Sequence, residues 1–74
     1  MTNGNGAAKP LALGMKIREY RTKRGLSLAE LAGRIKGDPT GISEIERGLV
    51  RPRESTIKRI AAALGVSPRT LQRG

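Results

Sequence analysis

Apolar residues recur along the first half of the chain at the three- and four-residue spacing of amphipathic α-helices. A first segment ends at Gly25, a common residue at helix C-termini. A second begins after Ser27, which with Glu30 three residues later forms a capping box, and ends at Lys36-Gly37. The inward faces are formed by Leu13, Ile17 and Tyr20, and then by Leu28, Leu31, Ala32 and Ile35. The pattern predicts two helices here.

The second half of the chain repeats this rhythm three times. A third segment runs from a capping Asp38 and a first-turn Pro39 to Gly48. Two more helices are predicted, at about 54–64 and from 67 onward. Their inward residues are Ile42 and Ile45, then Ile57, Ile60, Ala61 and Leu64, and finally Leu71.

No segment shows the two-residue alternation of a β-strand, so the predicted fold is all-α, a compact five-helix bundle. Residues 1–10, MTNGNGAAKP, are poor in large apolar residues, and we expect a flexible N-terminal tail there. Residues 11–74 are expected to form the domain. A chain of 74 residues has room for one small domain.

The amino-acid composition restricts the kinds of catalytic and metal-binding site that the chain can form. The chain has neither Cys nor His, so thiolate sites, the commonest zinc ligand and the commonest general base are excluded. No phosphate-binding glycine loop follows a predicted strand. We therefore expect no enzymatic activity, no cofactor and no metal site. Since no signal peptide or membrane-spanning run is recognisable, we expect a cytoplasmic protein.

Charge points to a polyanionic partner. Fifteen Lys and Arg against six Asp and Glu give a formal net charge of +9. A small and strongly basic domain of this kind commonly binds nucleic acid. A membrane surface is the less favoured partner, because basic and bulky apolar faces are not paired on the predicted helices and aromatic anchors are absent.

The segment LSLAELAGRIKGDPTGISEIERG, residues 26–48, has the organisation of a helix-turn-helix. Two short helices flank the helix-breaking residues KGDPTG. In such a unit the second helix lies in the DNA major groove, and its N-terminal residues reach the bases. Thr40 and Gly41 at that end are small enough to let the backbone approach DNA closely.

From Leu13 to Leu71 the chain resembles the Cro- and phage-repressor-like helix-turn-helix family, also called the XRE family. The resemblance is carried by KIREYRTKRGLSLAELA, ISEIERG, RP and IAAALGVSP. It implies a five-helix, lambda-repressor-like domain that binds operator DNA, commonly as a symmetric dimer. Double-stranded DNA is then the expected partner.

The resemblance also implies roles for individual residues. Arg21 and Glu46 match a structural ion pair between helices one and three. The base-facing positions are Pro39, Thr40, Gly41, Ser43 and Glu44. The phosphate-contacting positions are Ser27, Arg47, Arg51 and Arg53. The last three belong to the end of helix three and the basic connector after it.

The chain departs from the family pattern in three places. Leu28 replaces a Gln that usually binds phosphate, and we expect it to extend the apolar face instead. Lys36-Gly37 replaces a turn that usually reads Gly followed by an apolar residue. The turn glycine is thus displaced by one position, and a locally different turn is expected. The base-facing set also lacks the Gln, Asn, Arg and Lys side chains that make bidentate base contacts.

Two interpretations of the base-facing set stay open at this point. Glu44 can accept a hydrogen bond from cytosine and reject other bases, while the arginines supply affinity. Alternatively, the helix has lost base readout and binds DNA loosely, or docks on a protein. The favoured function is a sequence-specific transcriptional regulator; the alternative is a protein-interaction module such as an antitoxin or co-regulator.

The sequence also predicts a homodimer contact and several surface pairs. A homodimer contact is expected in the region of helices four and five, around Val66 and Leu71. Pairs four residues apart, Glu19 with Lys23 and Glu54 with Lys58, are expected to give small helix support. The remaining basic side chains are expected on solvated faces, at Arg18, Lys23, Arg24, Arg34, Lys58 and Arg59.

Overall fold

The computed structural model describes residues 9–73, which form five helices and no β-strand. They are α1 (Pro10–Lys23), α2 (Leu28–Arg34), α3 (Pro39–Glu46), α4 (Glu54–Leu64) and α5 (Pro68–Gln72). The predicted all-α fold is confirmed. Helix α1 begins at Pro10, the last residue of the predicted tail; residues 1–8 of that tail and Gly74 lie outside the described residues.

Local capping explains where most helices begin. The Ser27 hydroxyl accepts a hydrogen bond from the Glu30 backbone N–H at 3.0 Å, and the Glu30 carboxylate accepts from the Ser27 N–H at 2.7 Å. Asp38 and Ser67 cap α3 and α5 in the same manner, through their side chains. Three of the helices also have a proline at the first helical position.

One apolar core joins all five helices. Seven large side chains are almost completely buried: Leu13, Ile17, Leu31, Ile57, Ile60, Leu64 and Leu71. The predicted inward residues lie in or against this core, with Tyr20 and Leu28 half-buried at its edge. Leu26, which no periodic pattern includes, is buried as well.

Helix α1 packs closely on the C-terminal end of α3. The closeness depends on Gly14, because a Cβ atom there would lie 2.1 Å from the Ile45 carbonyl oxygen and 2.7 Å from that of Glu46. Backbone atoms cannot yield as a flexible side chain can. The absence of a side chain at this position therefore sets the distance between the two helices.

This close packing predicts opposite effects for two Gly→Ala substitutions. Gly14→Ala should lower the free energy of unfolding by about 2 kcal/mol, because overpacking outweighs the gain in helix propensity. Gly33→Ala in α2, where no atom lies within 4 Å of the new Cβ, should raise it by about 0.5–1 kcal/mol. Urea denaturation of both variants measures the difference. A Gly14→Ala protein as stable as the Gly33→Ala protein would contradict the packing described.

Candidate nucleic-acid interface

One side of α3 is accessible between its first residue and Glu44. Pro39 and Thr40 are exposed, and Gly41, Ser43 and Glu44 are partly exposed. The opposite face of the helix is buried through Ile42 and Ile45. The structure thus brings all five predicted base-facing residues to one end and one side of α3.

Gly41 has open space beside it. A Cβ atom at this position would meet no atom within 4 Å, so packing inside the protein does not require glycine here. The Asp38 carboxylate accepts a hydrogen bond from the Gly41 N–H at 3.3 Å and caps the helix. A small residue at an exposed helix start leaves room for another molecule to approach the backbone.

The C-terminal end of α3 is held by an ion pair. Arg21 Nε donates to Glu46 Oε2 at 2.6 Å, and Arg21 Nη2 donates to Glu46 Oε1 at 3.0 Å. The two side chains are only 12% and 6% exposed. The hydrogen bond to Glu46 raises the pKa of Arg21 above its ordinary value. The pair faces the protein interior, away from the exposed start of α3.

The turn between α2 and α3 is locally different from the family pattern, as expected. Lys36, and not Gly37, adopts the left-handed conformation, with φ of 56°. Gly37 donates its N–H to the Ala32 carbonyl at 2.8 Å, which closes the end of α2. The turn therefore has a lysine, and not a glycine, in its left-handed position. A non-glycine residue in this conformation costs about 1 kcal/mol, which the packing of α2 against α3 must offset.

Arg59 holds this turn from α4. Its guanidinium donates through Nη2 to the carbonyl of Ile35, the last residue before the turn. Arg24 similarly donates through Nε to the Leu64 carbonyl at 2.8 Å, at the end of α4. Both arginines are exposed, as predicted, but each also makes a hydrogen bond to another element that was not predicted. Sequence alone gave no signal for them, because their partners lie 24 and 40 residues away.

The predicted phosphate contacts occupy two regions. Arg47, Arg51 and Arg53 are exposed on and after the end of α3. Ser27 is exposed too, but its backbone N–H is bound to Glu30, so only its hydroxyl hydrogen can reach a phosphate. These hydrogen bonds with Ser27 lower the pKa of Glu30. The carboxylate beside Ser27 is thus charged, which weakens that position as an anion contact.

Two other surface predictions had different outcomes. Glu19 and Lys23 form the expected ion pair at 3.2 Å. Glu54 instead accepts a hydrogen bond from Gln72 at 3.0 Å, and residues 9–73 contain no Glu54–Lys58 ion pair.

Leu71 is fully buried, so it cannot itself contribute to a dimer contact; Val66 is partly exposed. No helix within residues 9–73 is long and apolar enough to cross a membrane.

Comparison with known protein families shows to which family this chain belongs. Residues 12–73 match the model of a helix-turn-helix domain family, HTH_31. The chain belongs to this helix-turn-helix domain family. The match includes all five helices apart from the first two residues of α1.

Individual relatives agree with this family. An HTH-type transcriptional regulator of Mycobacterium tuberculosis is 38% identical over 60 residues, which are 81% of this chain and 23% of that protein. The restriction-modification controller protein C.AhdI from Aeromonas hydrophila superimposes with a TM-score of 0.80 and 34% identity, covering 82% of this chain and 92% of that one.

A third relative was solved with a bound ligand. SinR, the master regulator for biofilm formation, in complex with DNA, has a TM-score of 0.76 and 37% identity, over 80% of this chain and 95% of that one. The chain spans between a quarter and about half of the length of the curated relatives it matches, 23% to 54%. The TM-scores of 0.80 and 0.76 show that C.AhdI and SinR share the fold described here.

The contact between Arg59 and the turn yields a prediction for this helix-turn-helix. Arg59→Met should lower the free energy of unfolding by about 1–2 kcal/mol, because the Ile35 carbonyl loses its charged donor. Lys58→Met changes the same charge at an exposed neighbour and should alter stability by less than about 0.5 kcal/mol. Chemical denaturation compares the two, and equal effects would show that Arg59 does not restrain the turn.

Proposed function

We propose that this domain binds double-stranded DNA by inserting α3 into the major groove and thereby regulates transcription. The observation that carries the proposal is the exposed, small-residue start of α3, where a Cβ atom on Gly41 would meet no other atom within 4 Å. The similarity to SinR, solved in complex with DNA, supports the same use of the fold. Such a function places the protein in the cytoplasm and depends on binding rather than on catalysis.

Residue roles follow from the position of each side chain. Thr40 and Ser43 are near enough to the helix start to contact base edges, and the Thr40 methyl can pack on a thymine methyl. Glu44, one turn beyond Thr40, accepts a hydrogen bond from the amino group of cytosine. Arg47, Arg51 and Arg53 attract phosphates next to the groove and supply most of the sequence-independent affinity.

A dimer formed on DNA would fit this arrangement. Two copies related by a two-fold axis would place their α3 helices in successive major grooves, with half-sites about 10 base pairs apart. We propose the exposed surface of α4, α5 and the loop at Val66 as the contact between copies. Because Leu71 is buried, this contact is small, and a dimer is expected chiefly on DNA.

Selection from a randomised DNA library at about 150 mM salt tests this function. The wild type should enrich a palindrome that contains cytosine at one position of each half-site. Glu44→Gln should change the preference at that position towards adenine, because a Gln side chain contacts adenine in two places. Glu19→Gln alters the net charge equally on an exposed part of α1 and should leave the selected sequence unchanged.

Two results would contradict the proposal. One is the absence of any enriched sequence together with binding that is lost steeply as salt rises, which would indicate phosphate attraction alone. The other is tighter binding by Glu44→Gln with no change in preferred sequence. That result would show that Glu44 only repels DNA, and it would favour the alternative of a protein-interaction module.

A further inference from the structure

The exposed large apolar residues are not scattered over the surface. Within residues 9–73 they are four, and they occupy two short segments. Leu11 and Met15 on α1 are 54% and 61% exposed; Leu49 and Val50, just after α3, are 63% and 44% exposed. We call these four residues the apolar patch. Because most large apolar side chains of the domain lie in its core, the concentration of the exposed ones in two short segments marks an interaction surface.

The two segments of the apolar patch are in contact. A Cβ atom on Gly48 would lie 2.8 Å from the Leu11 Cα, so the backbone before Leu49 rests directly on the first turn of α1. Leu11 and Met15, four residues apart, lie on the same face of that helix. The two chain segments that carry the four exposed side chains are therefore adjacent.

The charge around the apolar patch is predominantly positive, and the one exposed carboxylate on the same face of α1, Glu19, is paired with Lys23 at 3.2 Å. Residues 9–18 and 47–53 contain no Asp or Glu. They contain six basic residues, Lys9, Lys16, Arg18, Arg47, Arg51 and Arg53. A second copy of the chain would bring the same positive charge to the contact, so self-association through this surface is unfavourable. A negatively charged partner with apolar side chains is complementary to it.

We propose that the apolar patch docks an acidic amphipathic helix of a partner protein. Such a helix would place apolar residues at three- and four-residue spacing on Leu11, Met15 and Leu49, while its Asp and Glu side chains face the basic surroundings. Met15 suits this role because its unbranched side chain adapts to different partners. A lipid surface fits less well, because no Phe or Trp is present to anchor the domain at a membrane interface.

A partner helix bound to the apolar patch would compete with DNA. Arg47, Arg51 and Arg53 are both its basic neighbours and the proposed phosphate contacts. A helix that pairs its carboxylates with these arginines would exclude DNA. This consequence rests on the proposed function, whereas docking itself does not.

Peptide selection on the whole chain tests the docking. A phage-displayed library of random 16-residue peptides is selected on the wild type, and enriched peptides are synthesised and titrated by fluorescence anisotropy. The double variant Leu11→Gln/Met15→Gln keeps the Cβ atoms, helix propensity and net charge. Lys58→Gln/Arg69→Gln removes two exposed charges on α4 and α5 instead. Denaturation confirms that both variants are folded.

The proposal predicts enriched peptides with apolar residues at helical spacing between Asp and Glu. They should bind the double variant at least about tenfold more weakly, because two apolar contacts are lost, and the charge-reduced control within about threefold of wild type. They should also displace a DNA duplex from the wild type. A wild type that binds such peptides but no duplex would overturn the proposed function while leaving the docking intact.

Three outcomes would overturn the docking. They are the absence of enriched peptides, equal binding to the wild type and the double variant, and peptides that are acidic without apolar positions, which indicate charge attraction alone. Sedimentation with phosphatidylglycerol–phosphatidylcholine vesicles, carried out in parallel, tests whether an anionic membrane binds the patch instead. Vesicle binding that is lost in the double variant, without peptide enrichment, would assign the patch to membranes and contradict the proposal.

Discussion

The position of α3 depends on the ion pair between Arg21 and Glu46. The pair joins residues 25 apart in the sequence, and both side chains are largely withdrawn from water. Arg21 also donates through Nη1 to the Leu26 carbonyl at 2.8 Å, immediately before α2. One guanidinium therefore restrains the end of α3 and the connection from α1 to α2. Because a buried charge without its partner is costly, the pair tolerates little displacement of either helix.

The rest of the interface is arranged around this fixed end. Gly14 allows α1 to approach the carbonyl groups at the end of α3, and Arg59 holds the turn at its beginning. Between these restraints, α3 buries Ile42 and Ile45, exposes Thr40 and leaves open space beside Gly41. The basic connector follows directly, so the proposed base-facing residues and the proposed phosphate contacts lie next to one another in the chain.

Helix positions could be predicted from sequence because they depend on local physics. The apolar period defines the core faces, and the caps at Ser27, Asp38 and Ser67 define three helix starts. Contacts between distant residues could not be predicted in this way, which is why the roles of Gly14 and Arg59 were missed. A locally different turn at Lys36-Gly37 was expected from the sequence, but the left-handed conformation of Lys36 was not, because glycine is the residue that adopts this conformation most readily. The exposed residues of α3 were identified through family resemblance, whereas their chemistry alone left two interpretations.

A double-mutant cycle on Arg21 and Glu46 tests whether this ion pair determines the position of α3. Urea denaturation would give the free energy of unfolding for wild type, Arg21→Met, Glu46→Gln and the double variant. If the pair anchors α3, each single substitution should cost about 3 kcal/mol, because it leaves its partner charge buried and unpaired. The double variant should then be more stable than the sum of the single effects predicts, by at least about 1 kcal/mol. Single effects that are small, or that add without coupling, would show that the position of α3 does not depend on this pair.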